Sequence, residues 1–114
     1  MRWIVIVVVA GLAGTLVVLG VLHMKTVSEE AHEMVAGGAV LLDVRTAKEF
    51  QEGHLPGAIN IPVDQVAGRA SEIGPVTTAV VTYCFSGARS ARAAAALKQL
   101  GFAKVLNLGP KAAW

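Results

Sequence analysis

Residues 79–100 read AVVTYCFSGARSARAAAALKQL, and this stretch combines a strand, a tight loop and a helix. Residues 79–83 form a short apolar run rich in β-branched side chains, which predicts a buried strand. Residues 90–100 are rich in alanine, start with a capping serine and end before Gly101, which predicts a helix. Between them, residues 84–89 form a short loop that opens with the chain's single cysteine. A strand that leads through a short loop into a helix is the repeating unit of an α/β fold.

The same alternation of strands and helices continues on both sides of this stretch. The predicted strands span residues 40–44, 58–61 and 104–108, and the predicted helices span residues 28–36, 46–51 and 63–73. Ser28 is the predicted N-cap of the first of these helices, and Thr46 with Glu49 has the spacing of a capping box at the second. The alternation predicts an open, mostly parallel sheet that is flanked by helices.

The first part of the chain has a different character. Residues 3–22 are apolar almost throughout and carry no charged side chain. A helix of that length spans about 30 Å, the thickness of a bilayer's hydrocarbon core, so we expect one N-terminal transmembrane helix. A cleaved signal peptide is the alternative, although the stretch is long for one and no Ala-x-Ala pattern follows it. Two positive charges, the N-terminal amine and Arg2, precede the apolar stretch, and one, Lys25, follows it. Because the more positive flank tends to stay in the cytoplasm, we expect a single-pass protein whose domain lies on the extracytoplasmic side.

The part of the chain after residue 22 has the length of one domain, and its composition disfavours several classes of function. The 114 residues carry ten Lys and Arg against eight Asp and Glu, with a net charge of +2. No basic stripe interleaved with aromatic residues is present, so we expect no nucleic-acid partner. One cysteine excludes an intramolecular disulfide, and the three scattered histidines lack the spacing of metal ligands. We therefore expect no metal site and no other cofactor.

The position of Cys84 predicts a reactive thiol. It follows the carboxyl end of a predicted strand, and ligand sites of open α/β sheets lie outside the carboxyl ends of the strands. The loop then turns its backbone N–H groups toward one point at a helix N-terminus, which favours a thiolate. Gly87 allows the loop to curl tightly, and Arg89 adds positive charge. A lone cysteine is more often a small buried hydrophobic residue, but this combination of strand end, glycine and arginine favours the reactive interpretation.

Three motifs give the chain a resemblance to a known family. The loop CFSGARS, residues 84–90, resembles the active-site loop of the rhodanese family. LDVR at residues 42–45 and GHLPGAINIP at residues 53–62 resemble its other signatures, and the last strand with Trp114 resembles its end. The resemblance covers residues 28–114 and implies one rhodanese-like domain. Gly109-Pro110-Lys111 departs from the Gly-Gly pair of many relatives and changes the rim of the site.

The resemblance implies a sulfurtransferase. Cys84 would take sulfane sulfur from thiosulfate or a persulfide as its own persulfide, and would pass it to a thiol or to cyanide. Arg89 would help to hold the anionic donor. The other residues implied to bind the substrate are Phe85, Ser86, Gly87 and Ala88. The residues implied to support the loop are Asp43, Arg45 and Ser90, with a structural ion pair between the first two.

Two other functions compete with sulfur transfer. Cysteine phosphatases have a longer loop between cysteine and arginine, whereas only residues 85–88 separate the two here, so phosphatase chemistry is disfavoured. A membrane-tethered binding or redox-sensing module without fast turnover remains the alternative, although Cys84 and Arg89 are both present. Glu49 and Glu52 are interpreted as solvated helix-surface charges, and His54 as a hydrogen-bonding loop residue.

Overall fold

The computed structural model describes the backbone of residues 2–10 and 15–114 and the side chains from Met24 onward. The backbone of the first part forms two antiparallel strands, β1 Arg2–Ala10 and β2 Thr15–Met24. The β-branched residues 4–9 favour extended backbone where no lipid imposes a helix. The transmembrane helix predicted over residues 3–22 includes residues 11–14, which lie outside the described residues, so it stays a prediction. Within the described part of the chain, no helix is long and apolar enough to cross a membrane.

The rest of the chain alternates between helices and strands. Its elements are α1 Val27–Ala36, β3 Val40–Asp43, α2 Ala47–Glu52, β4 Ile59–Asn60, α3 Val66–Arg69, β5 Val80–Cys84, α4 Ala88–Gln99 and β6 Val105–Pro110. Short 3₁₀ turns lie at Val63–Gln65, Ala70–Glu72 and Lys111–Ala113. The four strands from β3 to β6 form one sheet in the order β4-β3-β5-β6.

All neighbouring strands of this sheet are parallel, as the alternating pattern predicted. In the register of the two central strands, Asp43 of β3 lies opposite Tyr83 of β5. The carboxyl ends of both strands therefore meet at one edge of the sheet, which brings Asp43 close to the residue that follows Tyr83. That residue is Cys84, and it ends a strand whose five residues are all buried.

Helices cover both faces of the sheet, because neighbouring strand residues point to opposite sides. Val80 packs into one cluster and Val81 into the other. The first cluster lies against α3 and α4 and includes Leu42, Val44, Val66, Cys84, Ala93 and Leu97. The second lies against α1 and includes Ala31, Met34, Leu41, Leu55, Tyr83 and Leu108. The predicted α/β sheet flanked by helices is confirmed.

Helix α2 forms as its sequence predicted. Thr46 and Glu49 form a capping box, in which each side chain accepts a hydrogen bond from the other residue's backbone N–H, at 3.1 and 3.2 Å. The N-cap of α1 differs from the prediction. Its cap is Thr26, whose hydroxyl accepts from the Glu29 N–H, whereas the hydroxyl of Ser28 donates to the backbone oxygen of Trp114 at 2.9 Å.

Two other helix predictions were wrong in detail. The predicted helix over residues 63–73 is a short α-helical turn between two 3₁₀ turns, and it contains Gly68, a residue with low helix propensity. Helix α4 begins at Ala88 rather than at Ser90. Its N-cap is Gly87 with a φ of +106°, a left-handed conformation that glycine adopts at no steric cost. Ser90 consequently lies inside the first turn, where it is fully buried.

Candidate active site

Cys84 lies at the point where β5 ends and a short loop leads into α4. Because Gly87 closes this loop, its backbone N–H turns back and donates to the Cys84 Sγ at 2.9 Å. The sulfur thus lies at the N-terminal end of α4, where the partial positive charge of a helix favours an anion. The predicted placement of the thiol at a helix start agrees with this geometry.

Hydrogen bonds around the sulfur outweigh the effect of burial. Burial raises the pKa of the Cys84 thiol, but the Ser90 hydroxyl and the backbone N–H groups of Ser90, Gly87 and Ser86 lower it, and the net pKa lies below the ordinary value. Each of these donors stabilises the thiolate more than the thiol. The loop therefore increases the fraction of nucleophilic thiolate at neutral pH.

The Ser90 hydroxyl has one proton and two neighbours. Its Oγ lies 3.0 Å from the carbonyl oxygen of Gly87, to which it donates, and 3.5 Å from the Cys84 Sγ. In the neutral site the thiol can donate to the Ser90 oxygen while the hydroxyl donates to Gly87. When the thiol ionises, the hydroxyl can turn to the sulfur, because the Gly87 carbonyl keeps the N–H of Ala91 at 3.1 Å. Ser90 is therefore placed to respond to the charge on the sulfur.

Access to the thiol is restricted. The exposed fraction of Cys84 is 0%, whereas that of the next residue, Phe85, is 71%. A cavity of about 430 Å³ lies beside Phe85, and its lining residues are Arg45, Leu55, Phe85, Lys111 and Ala112. Of these, only Arg45 and Phe85 were among the predicted site residues.

Arg89 forms a two-pronged ion pair with Glu49. Its Nη1 lies 2.7 Å from Glu49 Oε1, and its Nη2 lies 3.1 Å from Oε2. Donation from Arg89 lowers the pKa of Glu49 to about 2. The interpretation of Glu49 as a solvated surface charge was therefore wrong, because α2 packs near the start of α4 and its carboxylate binds the arginine of the loop.

Asp43 and Arg45 form the predicted ion pair, and it is buried. The Arg45 Nη2 lies 2.7 Å from Asp43 Oδ2, and Nε donates to the same carboxylate. The hydrogen bonds from Arg45 to Asp43 raise the pKa of Arg45. Arg45 Nη2 also donates to the carbonyl of Gly53 at 2.7 Å. The pair thus ties the end of β3 to the loop that follows α2.

Two neighbours brace this pair. The side-chain amide of Asn60 donates to the backbone oxygens of Asp43 and Arg45, at 3.0 and 2.9 Å. The hydroxyl of Tyr83 accepts from the Leu55 N–H at 3.0 Å, and the Arg45 guanidinium lies 5.8 Å from the centre of the Tyr83 ring. These contacts hold Asp43 and Arg45 in one arrangement next to the Cys84 loop.

The structure brings the predicted loop residues together between the end of β5 and the start of α4. Phe85, Ser86 and Ala88 are exposed, and Gly87 is half-buried. The Nδ1 of His54 donates to the carbonyl oxygen of Phe50, 2.9 Å away, in keeping with its interpretation as a hydrogen-bonding loop residue. In the described part of the chain, no group of three or more His, Cys, Asp or Glu side chains is placed to hold a metal ion.

Two residues of the site were missed from the sequence. Glu49 lies 40 residues before its partner Arg89, and no local pattern signals so distant a contact. Lys111 reaches the carbonyl of Gly53, 3.3 Å away, and lines the cavity beside Phe85. Its signal was the Gly109-Pro110-Lys111 departure from the family pattern, which places a cation at the rim.

Known proteins with similar sequences include several that are named as sulfurtransferases. The profile of the Rhodanese-like domain family matches residues 27–109. A protein of Allochromatium vinosum named Sulfurtransferase is 46% identical over 76 residues, which make up 66% of this chain and 70% of that protein. The thiosulfate sulfurtransferase PspE of Escherichia coli is 36% identical over 69 residues, 60% of this chain and 66% of that protein. Some relatives are longer: the chain spans 37% of the Bacillus subtilis protein YrkF, with 40% identity over 70 residues.

A solved structure gives the same result for the fold. The human single-domain sulfurtransferase superposes with a TM-score of 0.63 and 27% identity, covering 75% of this chain and 86% of that protein. The predicted rhodanese-like sheet is thus confirmed by an independent structure.

Proposed function

This chain belongs to the rhodanese-like domain family, and on that basis we propose that it is a sulfurtransferase whose carrier is a persulfide on Cys84. The observation that carries the proposal is the geometry of the loop, in which the Gly87 N–H lies 2.9 Å from the Cys84 Sγ. The residues that lower the pKa of Cys84 also provide donors for a negative charge on an added sulfur. Relatives whose names include sulfurtransferase support the same chemistry.

The first half of the proposed reaction loads the sulfur. The Cys84 thiolate attacks the outer sulfur of thiosulfate, a bond forms between Sγ and that sulfur, and the sulfur–sulfur bond of the donor breaks. Sulfite leaves with the electron pair, and the charge of the thiolate passes to the terminal sulfur of the persulfide. With an organic persulfide as the donor, the leaving group is the organic thiolate. PspE, a relative named for thiosulfate, supports thiosulfate as the donor to test first.

The loop residues take the following parts in this proposal. The exposed side of the loop, residues 85–88, contacts the donor. Arg89 attracts the anionic donor with the guanidinium N–H groups that Glu49 leaves unused, since a guanidinium has five donors. Asp43, Arg45 and Ser90 act by positioning the loop and the sulfur. The second half of the reaction returns Cys84 to a thiolate when a thiol or cyanide removes the sulfur.

Intact mass spectrometry of the full chain tests the proposal. Treatment with thiosulfate should add one sulfur, about 32 Da, to the wild type and nothing to Cys84→Ser, and cyanide should remove the added mass. Because the chain has one cysteine, a single modification can arise only there. If the wild-type protein takes up no sulfur from thiosulfate or from a small persulfide, the proposed sulfurtransferase activity is rejected.

A module that binds a partner without chemistry at the thiol is the second candidate, and the zero exposure of Cys84 favours it. Such a module would need the loop without needing fast access to the sulfur. Iodoacetamide distinguishes the two, since a carrier thiol should react with this small neutral reagent in the folded protein. A thiol that is alkylated only after unfolding would support the module.

We also propose that residues 3–22 anchor residues 28–114, the rhodanese-like domain, to a membrane, with the domain on the extracytoplasmic side. The length and uncharged composition of the stretch support this placement. The chain should then remain in the membrane fraction after a carbonate wash. Protease added to cells whose outer layers are permeabilised, and whose cytoplasmic membrane is intact, should digest the domain. Recovery of a soluble form with a new N-terminus near residue 24 would favour a cleaved signal peptide.

A further inference from the structure

The cavity beside Phe85 is larger than thiosulfate requires. Its volume of about 430 Å³ lies within the range of pockets that bind organic molecules, roughly 300–1,000 Å³. Thiosulfate has only five non-hydrogen atoms and would leave most of this space to water. The cavity therefore has room for an organic molecule next to the Cys84 loop.

The charges around the cavity identify one cation without a carboxylate partner. Arg45 is paired with Asp43, and Arg89 is paired with Glu49. Lys111 differs, because its Nζ contacts the Gly53 carbonyl at 3.3 Å and no ion pair with a described carboxylate is formed. Since Gly53 also accepts from Arg45, two cations converge on one backbone oxygen. An anionic group that enters the cavity would find Lys111 available.

The remaining walls of the cavity are apolar. Leu55 is buried, Phe85 is 71% exposed and Ala112 is exposed. A hydrocarbon segment that covers Phe85 would remove apolar surface from water, which is favourable. Phe85 directly follows the nucleophile in the chain, so a molecule bound against its ring lies next to the Cys84 loop.

We infer that Lys111 binds the carboxylate of an organic thiol, which lies against Phe85 and accepts the sulfur from Cys84. The inference rests on the proposed function, because it requires the Cys84 persulfide. In the transfer, the acceptor thiolate attacks the outer sulfur of the persulfide and forms a new sulfur–sulfur bond. The bond between Cys84 Sγ and that sulfur breaks, Cys84 leaves as a thiolate with the electron pair, and the proton that the acceptor thiol gives up passes to the anionic transferred sulfur.

The experiment isolates the second half-reaction in the full chain. The protein is loaded with thiosulfate, freed of excess donor and checked for the added sulfur by intact mass. It is then mixed with 3-mercaptopropionate, which carries a carboxylate, or with neutral 2-mercaptoethanol, and the loss of the added mass is followed in time. The measured quantity is the ratio of the two second-order rate constants, in which the effects of a variant on folding or on the sulfur itself cancel.

Lys111→Met should lower this ratio about fivefold, the size of effect that a partly exposed ion pair produces. Lys111→Arg keeps the positive charge and should retain most of the wild-type ratio. For the wild type, 0.5 M salt should reduce the ratio, because salt screens the contact between Lys111 and the carboxylate. Lys104→Met is the matched control: it removes one positive charge just before β6, at the opposite edge of the sheet, and should leave the ratio unchanged.

The experiment separates failure of sulfur transfer from failure of the role of Lys111. If no persulfide forms, the proposed sulfurtransferase is rejected and the acceptor site with it. If the persulfide forms but Lys111→Met leaves the ratio at the wild-type value, the assignment of Lys111 is overturned while sulfur transfer stands. An equal fall in the ratio for Lys104→Met would also overturn it, since net charge rather than the cavity would then govern the preference.

Discussion

The guanidinium of Arg89 and the carboxylate of Glu49 face each other in two contacts, Nη1 to Oε1 at 2.7 Å and Nη2 to Oε2 at 3.1 Å. The pair joins α2 to the first turn of α4, and thus to the loop that surrounds Cys84. Glu49 has a second task in the capping box with Thr46. The positive charge of Arg89 is consequently shared between a carboxylate of the protein and any anion that approaches the sulfur.

Glu49→Gln should make the protein react faster with an anionic donor. Glutamine can still close the capping box, so the substitution removes the charge and retains the helix start. We expect the rate of sulfur uptake from thiosulfate to rise about threefold, with a smaller change in the rate with neutral iodoacetamide. Stopped-flow or quenched mass spectrometry measures both. Glu52→Gln, on the same helix, is the control, and an equal rise for Glu52→Gln would show a general effect of charge.

The ion pair of Glu49 also predicts a pH dependence of stability. Because the pKa of Glu49 is lowered to about 2 in the folded protein, its stabilising contribution is present above the ordinary pKa of about 4.5. The contribution is lost as the pH falls from about 4.5 through 2, since protonation then occurs more readily in the unfolded chain. The difference in Tm between wild type and Glu49→Gln should shrink over this window. A difference that stays constant from pH 7 to pH 2 would contradict the prediction.

Ser90→Ala should reduce the reactivity of Cys84. Loss of the hydroxyl removes one of the donors that lower the pKa of the thiol, so the thiolate fraction at pH 7 falls. We expect iodoacetamide to react about threefold to tenfold more slowly at pH 7, and the difference to vanish at high pH where both thiols are ionised. Ser86→Ala is the matched control, because Ser86 contributes its backbone N–H. A shift of the whole pH profile by Ser86→Ala alone would refute the role of Ser90.

Asp43→Asn should destabilise the fold strongly. The substitution leaves the buried guanidinium of Arg45 without its counter-charge, and breaking a buried pair in this way costs about 3 kcal/mol or more. Urea unfolding of the full chain in mild detergent, followed by circular dichroism, measures the loss. Asp64→Asn removes a carboxylate from an exposed pair with Arg92 and should change the midpoint little. Similar midpoints for the two variants would show that burial of the Asp43 pair does not matter.

The sequence predicts the local features of this fold well, and the reason is physical. Thr46 and Glu49 encode their capping box within four residues, and alternating strands and helices allow few arrangements other than a parallel sheet. The start of α4 was misplaced because Ser90 is a good N-cap residue, whereas the conformation of Gly87 decides where the helix begins. The partners of Arg89 and Lys111 depend on how separate elements pack, and no spacing along the chain encodes them.

Cys84 belongs to the same hydrophobic cluster as Leu42, Val44 and Leu97. Its sulfur therefore fills a place in the interior in addition to any chemistry it performs, and it packs against apolar side chains of the core. Room for an additional sulfur atom must come from the loop side, where Phe85 and Ser86 are exposed, rather than from the sheet side. Substitutions in this cluster that change only packing volume should then alter the reactivity of the thiol, and the stiffness of the core becomes a determinant of the proposed uptake of sulfur.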